Sequence, residues 1–179
     1  MGVPQGTVLG PILFLVYTND FSNCLSNCFS VIYADDTSIG CKGKDSNELE
    51  NNLNHCLSLA SDWFIENRLI VNAAKSSYMV IGTRKKVASV IDKVRISVEG
   101  TLLDKCDNSK LLGVYLDSHL SFDQHIHYVA SKVAPRIALL HRLRSILPLK
   151  ALNQIYLTTI QSLFDYCLTV WGATSAKTS

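Results

Sequence analysis

The chain has 179 residues, is 47% hydrophobic and carries a formal net charge of +2. This is enough apolar material for a buried core, as one domain or as one domain with a helical appendage, so no disulfide framework is needed for stability. The small net charge neither requires nor excludes nucleic acid, because a basic face can be hidden in a nearly neutral total.

The cysteine pattern argues against a metal site built from cysteines. The six cysteines include no CxxC pair and no set with zinc-finger spacing. Such a pattern in a chain of this length favours reduced thiols in an intracellular protein. We therefore expect all six to be unbonded.

The amino-terminal segment combines a glycine-rich loop with an apolar helix. Gly2, Pro4 and Gly6 are turn formers, and a helix is expected from about Pro11 to the polar cluster that begins at residue 23. Its apolar core, residues 8–17, is too short to span a bilayer and has no preceding positive segment. We predict a buried helix and no membrane association.

Two β-prone runs then flank a pair of aspartates. The runs FSVIY (29–33) and TSIGC (37–41) surround Asp35 and Asp36. Short β-prone runs this close together predict a tight hairpin, and aspartate is tolerated at its turn.

The clearest helix of the sequence follows the hairpin. Asp45 and Glu48 form a capping-box pattern at its start. Apolar residues then recur at spacings of three and four, which predicts a helix with a core-facing stripe. The stripe consists of Leu49, Leu53, Cys56, Leu57, Ala60, Trp63 and Phe64.

The remaining pattern is strand-like and then helical. Short strands separated by turns are predicted at 69–72, 77–82, 94–100 and 110–117, with a solvated basic turn at 84–86. Helices are predicted at 122–145 and 149–170, separated near Pro148. The order predicts an α+β fold with a largely antiparallel sheet and a boundary near residue 117.

Two features suggest chemistry. Adjacent carboxylates on a rigid turn suit divalent cations, and two such cations can promote in-line phosphoryl transfer. The loop that contains Gly6 allows a ligand to approach its backbone closely, with Gln5 as its long polar side chain. A solvated turn and an ordinary loop are the alternatives for each feature taken alone.

Taken together, these motifs resemble a known family. GVPQGTVLGPILFLVYTND (2–20) followed by VIYADD (31–36) is similar to the reverse transcriptases of jockey-like non-LTR retrotransposons. DWFIENRLIVNAAKSSYMVIG (62–82) and KLLGVYLDSHLSFDQHI (110–126) resemble further blocks of that family, as does the tail to DYCLTVWG (165–172). The resemblance implies a partial antiparallel polymerase palm at 1–117 and a helical thumb-like region at 118–179.

The resemblance also implies roles for individual residues. Asp35 and Asp36 would be catalytic and hold Mg²⁺, two ions in the complete enzyme, with Mn²⁺ as a possible substitute. Lys75 would neutralise or protonate the leaving pyrophosphate, with a solvated lysine as the equally weighted alternative. Binding roles fall on three further sets. Nucleotide and template would lie against Pro4, Gln5, Gly6 and Tyr33, the primer against Leu112, Gly113 and Val114, and nucleic-acid backbone against Lys132, Arg136, Arg142 and Arg144.

The implied activity is RNA-templated DNA synthesis. The partners would be an RNA template, a DNA primer and deoxynucleoside triphosphates, in the nucleus or the cytoplasm. The family's first catalytic aspartate and its fingers precede the glutamine-containing loop, so we expect this chain to be inactive alone. The alternatives are a non-catalytic nucleic-acid-binding remnant and a decayed gene product without function.

A solvated helix face remains the alternative for the basic residues at 132–144, and exposed or satisfied side chains are expected for His119, His125 and His127.

Overall fold

The computed structural model describes residues 6–25 and 28–173. They fold into a mixture of helices and small sheets, as the predicted α+β class requires. Seven α-helices lie within them: α1 (Gly10–Tyr17), α2 (Ser46–Glu66), α3 (Arg84–Val90), α4 (Asp123–Leu143), α5 (Leu149–Tyr156), α6 (Ser162–Asp165) and α7 (Leu168–Trp171). Short 3₁₀ turns cover Phe21–Cys24 and Ala73–Lys75, and a π-helical turn covers Leu157–Gln161.

The described strands pair only two by two. They are β1 (Cys28–Tyr33), β2 (Asp36–Cys41), β3 (Ser77–Tyr78), β4 (Ser97–Val98), β5 (Thr101–Leu102), β6 (Asp104–Lys105), β7 (Asn108–Leu111) and β8 (Val114–Asp117). The ladders β1–β2, β4–β5 and β7–β8 are antiparallel, whereas β3–β6 is parallel. Antiparallel pairing therefore dominates, but within the described residues it does not extend into one continuous sheet.

Two compact units divide the chain. The first comprises the described residues up to Tyr78 together with Lys85–Lys105, and the second comprises Met79–Arg84 and the described residues from Cys106 onward. The division into two units does not assign either of them to a palm or a thumb. The palm at 1–117 and the thumb at 118–179 therefore remain predictions.

The core of the first unit forms where α2 meets the segment after α1. Phe21 is completely buried, and its ring contacts the rings of Trp63 and Phe64 at centroid distances of 5.2 and 5.0 Å. Ile32 and Ile39, one from each strand of the hairpin, pack on the same cluster. The predicted apolar stripe of α2 is therefore confirmed as a core face.

The start of α2 is also as predicted. The Asp45 carboxylate accepts a hydrogen bond from the Glu48 N–H at 2.9 Å, and the Glu48 carboxylate accepts one from the Lys44 N–H at 2.8 Å. The first bond satisfies a backbone donor that the first helical turn leaves without a partner, and the second ties Lys44, the residue before the cap, to the helix.

The prediction of a buried amino-terminal helix is wrong for this chain. The α1 helix forms, but it contains no buried residue, and its Val16 side chain is 70% exposed. Among the described residues, α1 is fastened at its end, where the Tyr17 hydroxyl donates to the Asn67 carbonyl. The segment is apolar on all sides, and the described residues of its own unit do not cover it. No helix among residues 6–25 and 28–173 has the length and hydropathy to cross a bilayer.

The expectation of six unbonded thiols is wrong at two positions. Cys28 of β1 and Cys56 of α2 form a disulfide across 28 residues of sequence. The spacing gave no signal, because the two side chains meet only when the hairpin packs against α2. The bond fastens the base of the hairpin to the helix.

Two local predictions in the strand-like region are also wrong. Residues 69–72 form no strand, and the basic run at 84–86 begins α3 and is not a turn. Val87 of this short helix is buried, so packing of one apolar side favours helix over turn. The helix predicted at 122–145 is confirmed in outline, whereas the one predicted at 149–170 contains a π-helical turn at Leu157–Gln161 and breaks at Tyr166 and Cys167, before α7.

The core of the second unit lies between α4 and the helices after it. Val129 and Val133 of α4 pack on Ile160 of the π-helical turn, which is only 1% exposed. A neighbouring cluster joins Val114, Phe122 and Trp171. The β7–β8 hairpin is therefore packed against the helical region of the same unit.

Candidate active site and nucleic-acid interface

The aspartate pair lies at the tip of the β1–β2 hairpin. Tyr33 and Asp36 are the last paired residues, so Ala34 and Asp35 form a two-residue loop and Asp36 begins β2. Ala34 has φ +52°, the left-handed conformation that primed hairpin turns require and that residues with a Cβ rarely adopt. The predicted tight hairpin is confirmed, and both aspartates are exposed to solvent.

The tip is exposed while the base of the hairpin is anchored. Side chains alternate along the strands, so Ile32 and Ile39 face the core while Phe29, Val31 and Tyr33 lie on the exposed face. The disulfide of Cys28 adds a covalent anchor at the far end of β1. This arrangement holds Asp35 and Asp36 at the end of a supported ladder.

The donor set at this tip suits a hard divalent cation. Mg²⁺ is commonly bound by one or two carboxylates together with substrate phosphates, and two adjacent exposed carboxylates meet that requirement. Within the described residues, no group of three or more Asp, Glu, His or Cys side chains could hold a metal. Asp35 and Asp36 therefore fit a metal shared with a phosphate-bearing ligand and do not form a complete protein cage.

The glutamine-containing loop is described only in part. Pro4 and Gln5 lie outside the described residues. Gly6 is exposed with φ +85°, and no atom of the described residues lies within 4 Å of the position a Cβ would take. The space around Gly6 is compatible with close approach of a ligand, and the assignment of this loop to template and nucleotide remains a prediction.

Lys75 is exposed at the end of a short 3₁₀ turn. The Asn72 side chain accepts a hydrogen bond from the Lys75 N–H at 3.2 Å, and the Asn72 carbonyl accepts one from the Ser76 hydroxyl at 3.0 Å. These bonds fix the backbone of the turn and leave the lysine side chain in solvent. Its role at the leaving group remains a prediction.

Leu112 and Gly113 form the turn of a second hairpin. The segment 110–117 was expected to be a single strand, but Leu111 pairs with Val114 and the two residues between them close a turn. Both have positive φ, +45° for Leu112 and +90° for Gly113, which is the pattern of a primed hairpin turn. Gly113 is therefore a turn residue and not a β-bulge.

This turn is contacted by Tyr166, which lies between α6 and α7. The Tyr166 hydroxyl donates to the Leu112 carbonyl at 2.5 Å. A Cβ on Gly113 would lie 3.4 Å from the Tyr166 ring. The turn is thus held in place, and its primer-contacting role remains a prediction.

The basic residues of α4 do not form one continuous stripe. At about 100° per residue, Lys132 and Arg136 share a face, whereas Arg142 lies on another side of α4 and Arg144 is the first residue beyond it. Arg136 is half-buried, and its Nη1 donates to the Thr159 carbonyl at 2.9 Å, so it also supports the π-helical turn. Lys132, Arg142 and Arg144 are exposed.

Asp117 is a structural residue of this region to which the sequence analysis gave no role. Its carboxylate accepts hydrogen bonds from the backbone N–H groups of His119, Ser121 and Phe122, and from the Ser121 hydroxyl. Partial burial alone would raise the pKa of Asp117, but these donors together lower it below its ordinary range. The aspartate followed closely by serine is typical of such side-chain-to-backbone turns, which was the available signal. The bonds set the entry into α4.

His125 is a second structural residue of this region. It is 2% exposed, and its Nδ1 accepts the Tyr115 N–H at 3.4 Å. Burial lowers the pKa of His125, which favours the neutral ring. The expectation of a satisfied histidine holds for one ring nitrogen, since Nε2 has no hydrogen-bond partner among the described residues.

The predicted residues therefore lie on two separate units. The first unit carries the aspartate pair with Tyr33, and also Gly6 and Lys75. The second unit carries the Leu112–Gly113 turn, Val114 and the basic residues of α4.

Comparison with known proteins gives one consistent result. Residues 1–116 match the family model described as reverse transcriptase (RNA-dependent DNA polymerase). The chain is 29% identical over 183 aligned positions to a probable RNA-directed DNA polymerase from transposon BS of Drosophila melanogaster, with 96% of the chain and 20% of that protein covered. It is 28% identical to the RNA-directed DNA polymerase from mobile element jockey of Drosophila funebris, with 96% of the chain and 19% of that protein covered.

A shorter relative agrees with these two. The Pol polyprotein from type-1 retrotransposable element R1 of Nasonia vitripennis is 27% identical over 79% of the chain and 43% of its own length. No solved structure matches the chain. The chain spans about a fifth of the length of the first two relatives. With the family model covering well over half of its residues, the chain belongs to the reverse transcriptase (RNA-dependent DNA polymerase) family.

Proposed function

We propose that the chain supplies the metal-binding hairpin and part of the nucleic-acid surface of an RNA-directed DNA polymerase. The observation that carries the proposal is the exposed Asp35–Asp36 pair at the tip of a hairpin anchored in the core. Membership of the reverse transcriptase family supplies the reaction class, a nucleic-acid template and nucleotide substrates.

In this proposal, Asp35 and Asp36 hold Mg²⁺ together with the phosphates of a deoxynucleoside triphosphate. Two bound cations would activate the primer hydroxyl and stabilise the departing oxygen. The protein's own contribution is positional. The short turn fixes both carboxylates relative to Tyr33, and the anchored strands limit their movement when phosphates bind.

The other predicted residues receive supporting roles. Gly6, with Pro4 and Gln5 before it, would contact template and nucleotide, while Lys75 would offset the negative charge of the leaving pyrophosphate. The turn at Leu112, Gly113 and Val114 would contact the primer backbone. The exposed side chains of Lys132, Arg142 and Arg144 would contact phosphates. Arg136 would do so as well, while its Nη1 donates to the Thr159 carbonyl.

The competing proposal is a nucleic-acid-binding remnant without catalysis. It is favoured by the absence, in the described part of the chain, of a third metal-ligating side chain beside the aspartate pair. The basic residues of α4 lie in the segment that resembles the family's thumb-like region, and nucleic-acid binding there is compatible with both proposals.

Mn²⁺ titration followed by NMR distinguishes the two. The titration is run with a nucleoside triphosphate present, so that its phosphates complete the coordination. The polymerase proposal predicts paramagnetic broadening centred on residues 33–38, and its loss in the double variant Asp35→Asn/Asp36→Asn. Asp62→Asn/Asp92→Asn is the matched control, because both aspartates are exposed and the charge change is the same. Broadening that the Asp35→Asn/Asp36→Asn variant does not reduce would favour the remnant.

A further inference from the structure

Two lysines of the second unit converge on a pair of tyrosine rings. Lys110 of β7 is paired directly with Tyr115 of β8. Its ammonium lies 5.3 Å from the Tyr115 ring centroid and 5.4 Å from that of Tyr128 on α4. The Lys132 ammonium, one helical turn further along α4, lies 5.6 Å from the Tyr128 centroid. All three distances are within the range of cation–π attraction.

Both positive charges lie against the ring of Tyr128. Each lies within 5.6 Å of the same ring centroid, so at most twice that distance separates them. Neither lysine has a carboxylate partner among the described residues. The Asp117 carboxylate, at the other end of β8, is already occupied by backbone and hydroxyl donors. An anion between the lysines would relieve their repulsion.

The aromatic support of this cluster is rigid. The Tyr115 and Tyr128 ring centroids are 5.2 Å apart, and the Tyr128 ring is stacked on buried His125 at 6.3 Å. Tyr128 also packs on the Val129, Val133 and Ile160 cluster. The rings are therefore fixed while the lysine side chains are exposed, and a site built in advance loses little conformational entropy when a ligand binds.

We propose that Lys110, Lys132, Tyr115 and Tyr128 form a binding site for the backbone phosphates of a nucleic-acid chain. The proposal rests on the function proposed above and adds Lys110 and the two tyrosines to it. Lysine binds phosphate as a point charge, and the two tyrosine rings hold the ammonium groups by cation–π attraction. Because the contacts are to phosphates, the site would bind without sequence preference. We name the four residues the Lys–Tyr cluster.

The test is binding of a fluorescently labelled RNA–DNA hybrid to the full chain, measured by anisotropy at several salt concentrations. The Lys110→Ala/Lys132→Ala variant should bind more weakly at low salt. Its slope of log affinity against log salt should fall by about two, since each neutralised phosphate contributes about 0.9. Tyr128→Phe keeps the ring and should bind much like the unmodified chain, whereas Tyr128→Leu should lose affinity.

The control removes the same charge elsewhere. Lys85→Ala/Lys86→Ala alters two exposed lysines of α3 and should leave the salt slope nearly unchanged. Circular dichroism confirms that each variant is folded. Competition with inorganic pyrophosphate distinguishes a site for backbone phosphates from a site for a free phosphate compound. Weak displacement of the hybrid by pyrophosphate supports the proposal.

Three results would overturn it. The first is an equal loss of affinity in the two lysine double variants. The second is an unchanged salt slope in the Lys110→Ala/Lys132→Ala variant. The third is displacement of the hybrid by pyrophosphate at a concentration as low as that of the hybrid. None of them depends on metal at the hairpin, so failure of the cluster and failure of the polymerase proposal are separate outcomes.

Discussion

The Cys28–Cys56 disulfide should contribute several kcal/mol to the stability of the first unit. The bond joins residues 28 apart in sequence, and Cys56 is only 1% exposed. In the chain-entropy description, closing a loop of this length raises the free energy of unfolding by about 3.5 kcal/mol. Its removal would loosen the attachment of the aspartate hairpin to α2.

The assay is urea unfolding followed by Trp63 fluorescence, in a Trp171→Phe background that leaves one tryptophan. Trp63 lies in the core of the same unit, so its emission reports the loss of that core. We expect a reducing agent to lower the unfolding midpoint by an amount that corresponds to about 3.5 kcal/mol. The Cys28→Ala/Cys56→Ala variant should have the lowered midpoint from the start.

That double variant is also the control, because a reducing agent should not alter its midpoint. The reasoning is refuted if reduction leaves the midpoint of the Trp171→Phe chain, with both cysteines present, unchanged. It is equally refuted if thiol titration of the native, unreduced chain finds all six cysteines reactive after unfolding.

Three further predictions concern stability. Asp117→Ala should cost about 1–3 kcal/mol by leaving backbone donors unsatisfied, measured by thermal unfolding. Because the folded-state pKa of Asp117 is lowered, its contribution is complete above the unfolded-state pKa and lost as pH falls through the folded-state pKa. A stability profile through the acid range should therefore be flatter in Asp117→Ala, and a parallel profile would contradict the assignment. Ile160→Ala, in the second core, should cost about 2–5 kcal/mol, whereas Val16→Ala, on exposed α1, should cost less than about 0.5 kcal/mol. Equal costs in urea unfolding would contradict the burial described for these residues. Asp45→Ala should cost about 1 kcal/mol through loss of the helix cap, and unchanged hydrogen exchange in the first turn of α2 would argue against that cap.

The features predictable from sequence were those set by neighbouring residues. The Asp45–Glu48 cap and the apolar spacing after it depend on contacts within one helix, so α2 was predicted with its buried face. The aspartate hairpin was predictable for the same reason, because its strands and turn are contiguous. The one refinement is that Asp36 pairs with Tyr33 and leaves Ala34 and Asp35 as the loop.

The features that were missed depend on contacts between distant segments or on rare backbone conformations. Cys28 and Cys56 meet only through tertiary packing, which no spacing rule encodes for this chain. The turn at Leu112 was hidden because a leucine with positive φ is uncommon, although the adjacent Gly113 was a signal of a turn. Burial of α1 was inferred from hydropathy, yet burial also requires a covering surface, and the described residues of its unit do not provide one.

The most direct test of the central claim is primer extension by a chimera. Residues 1–179 would replace the matching segment of the Drosophila funebris jockey polymerase, and extension would be measured on an RNA template with a DNA primer and Mg²⁺. We predict extension by the chimera and a loss of at least about 100-fold in rate for Asp35→Asn, since a lost metal ligand costs several kcal/mol of transition-state stabilisation. Asp62→Asn in the same chimera should extend at the unmodified rate. Equal rates for Asp35→Asn and Asp62→Asn would contradict the claim that the hairpin aspartates form the catalytic metal site.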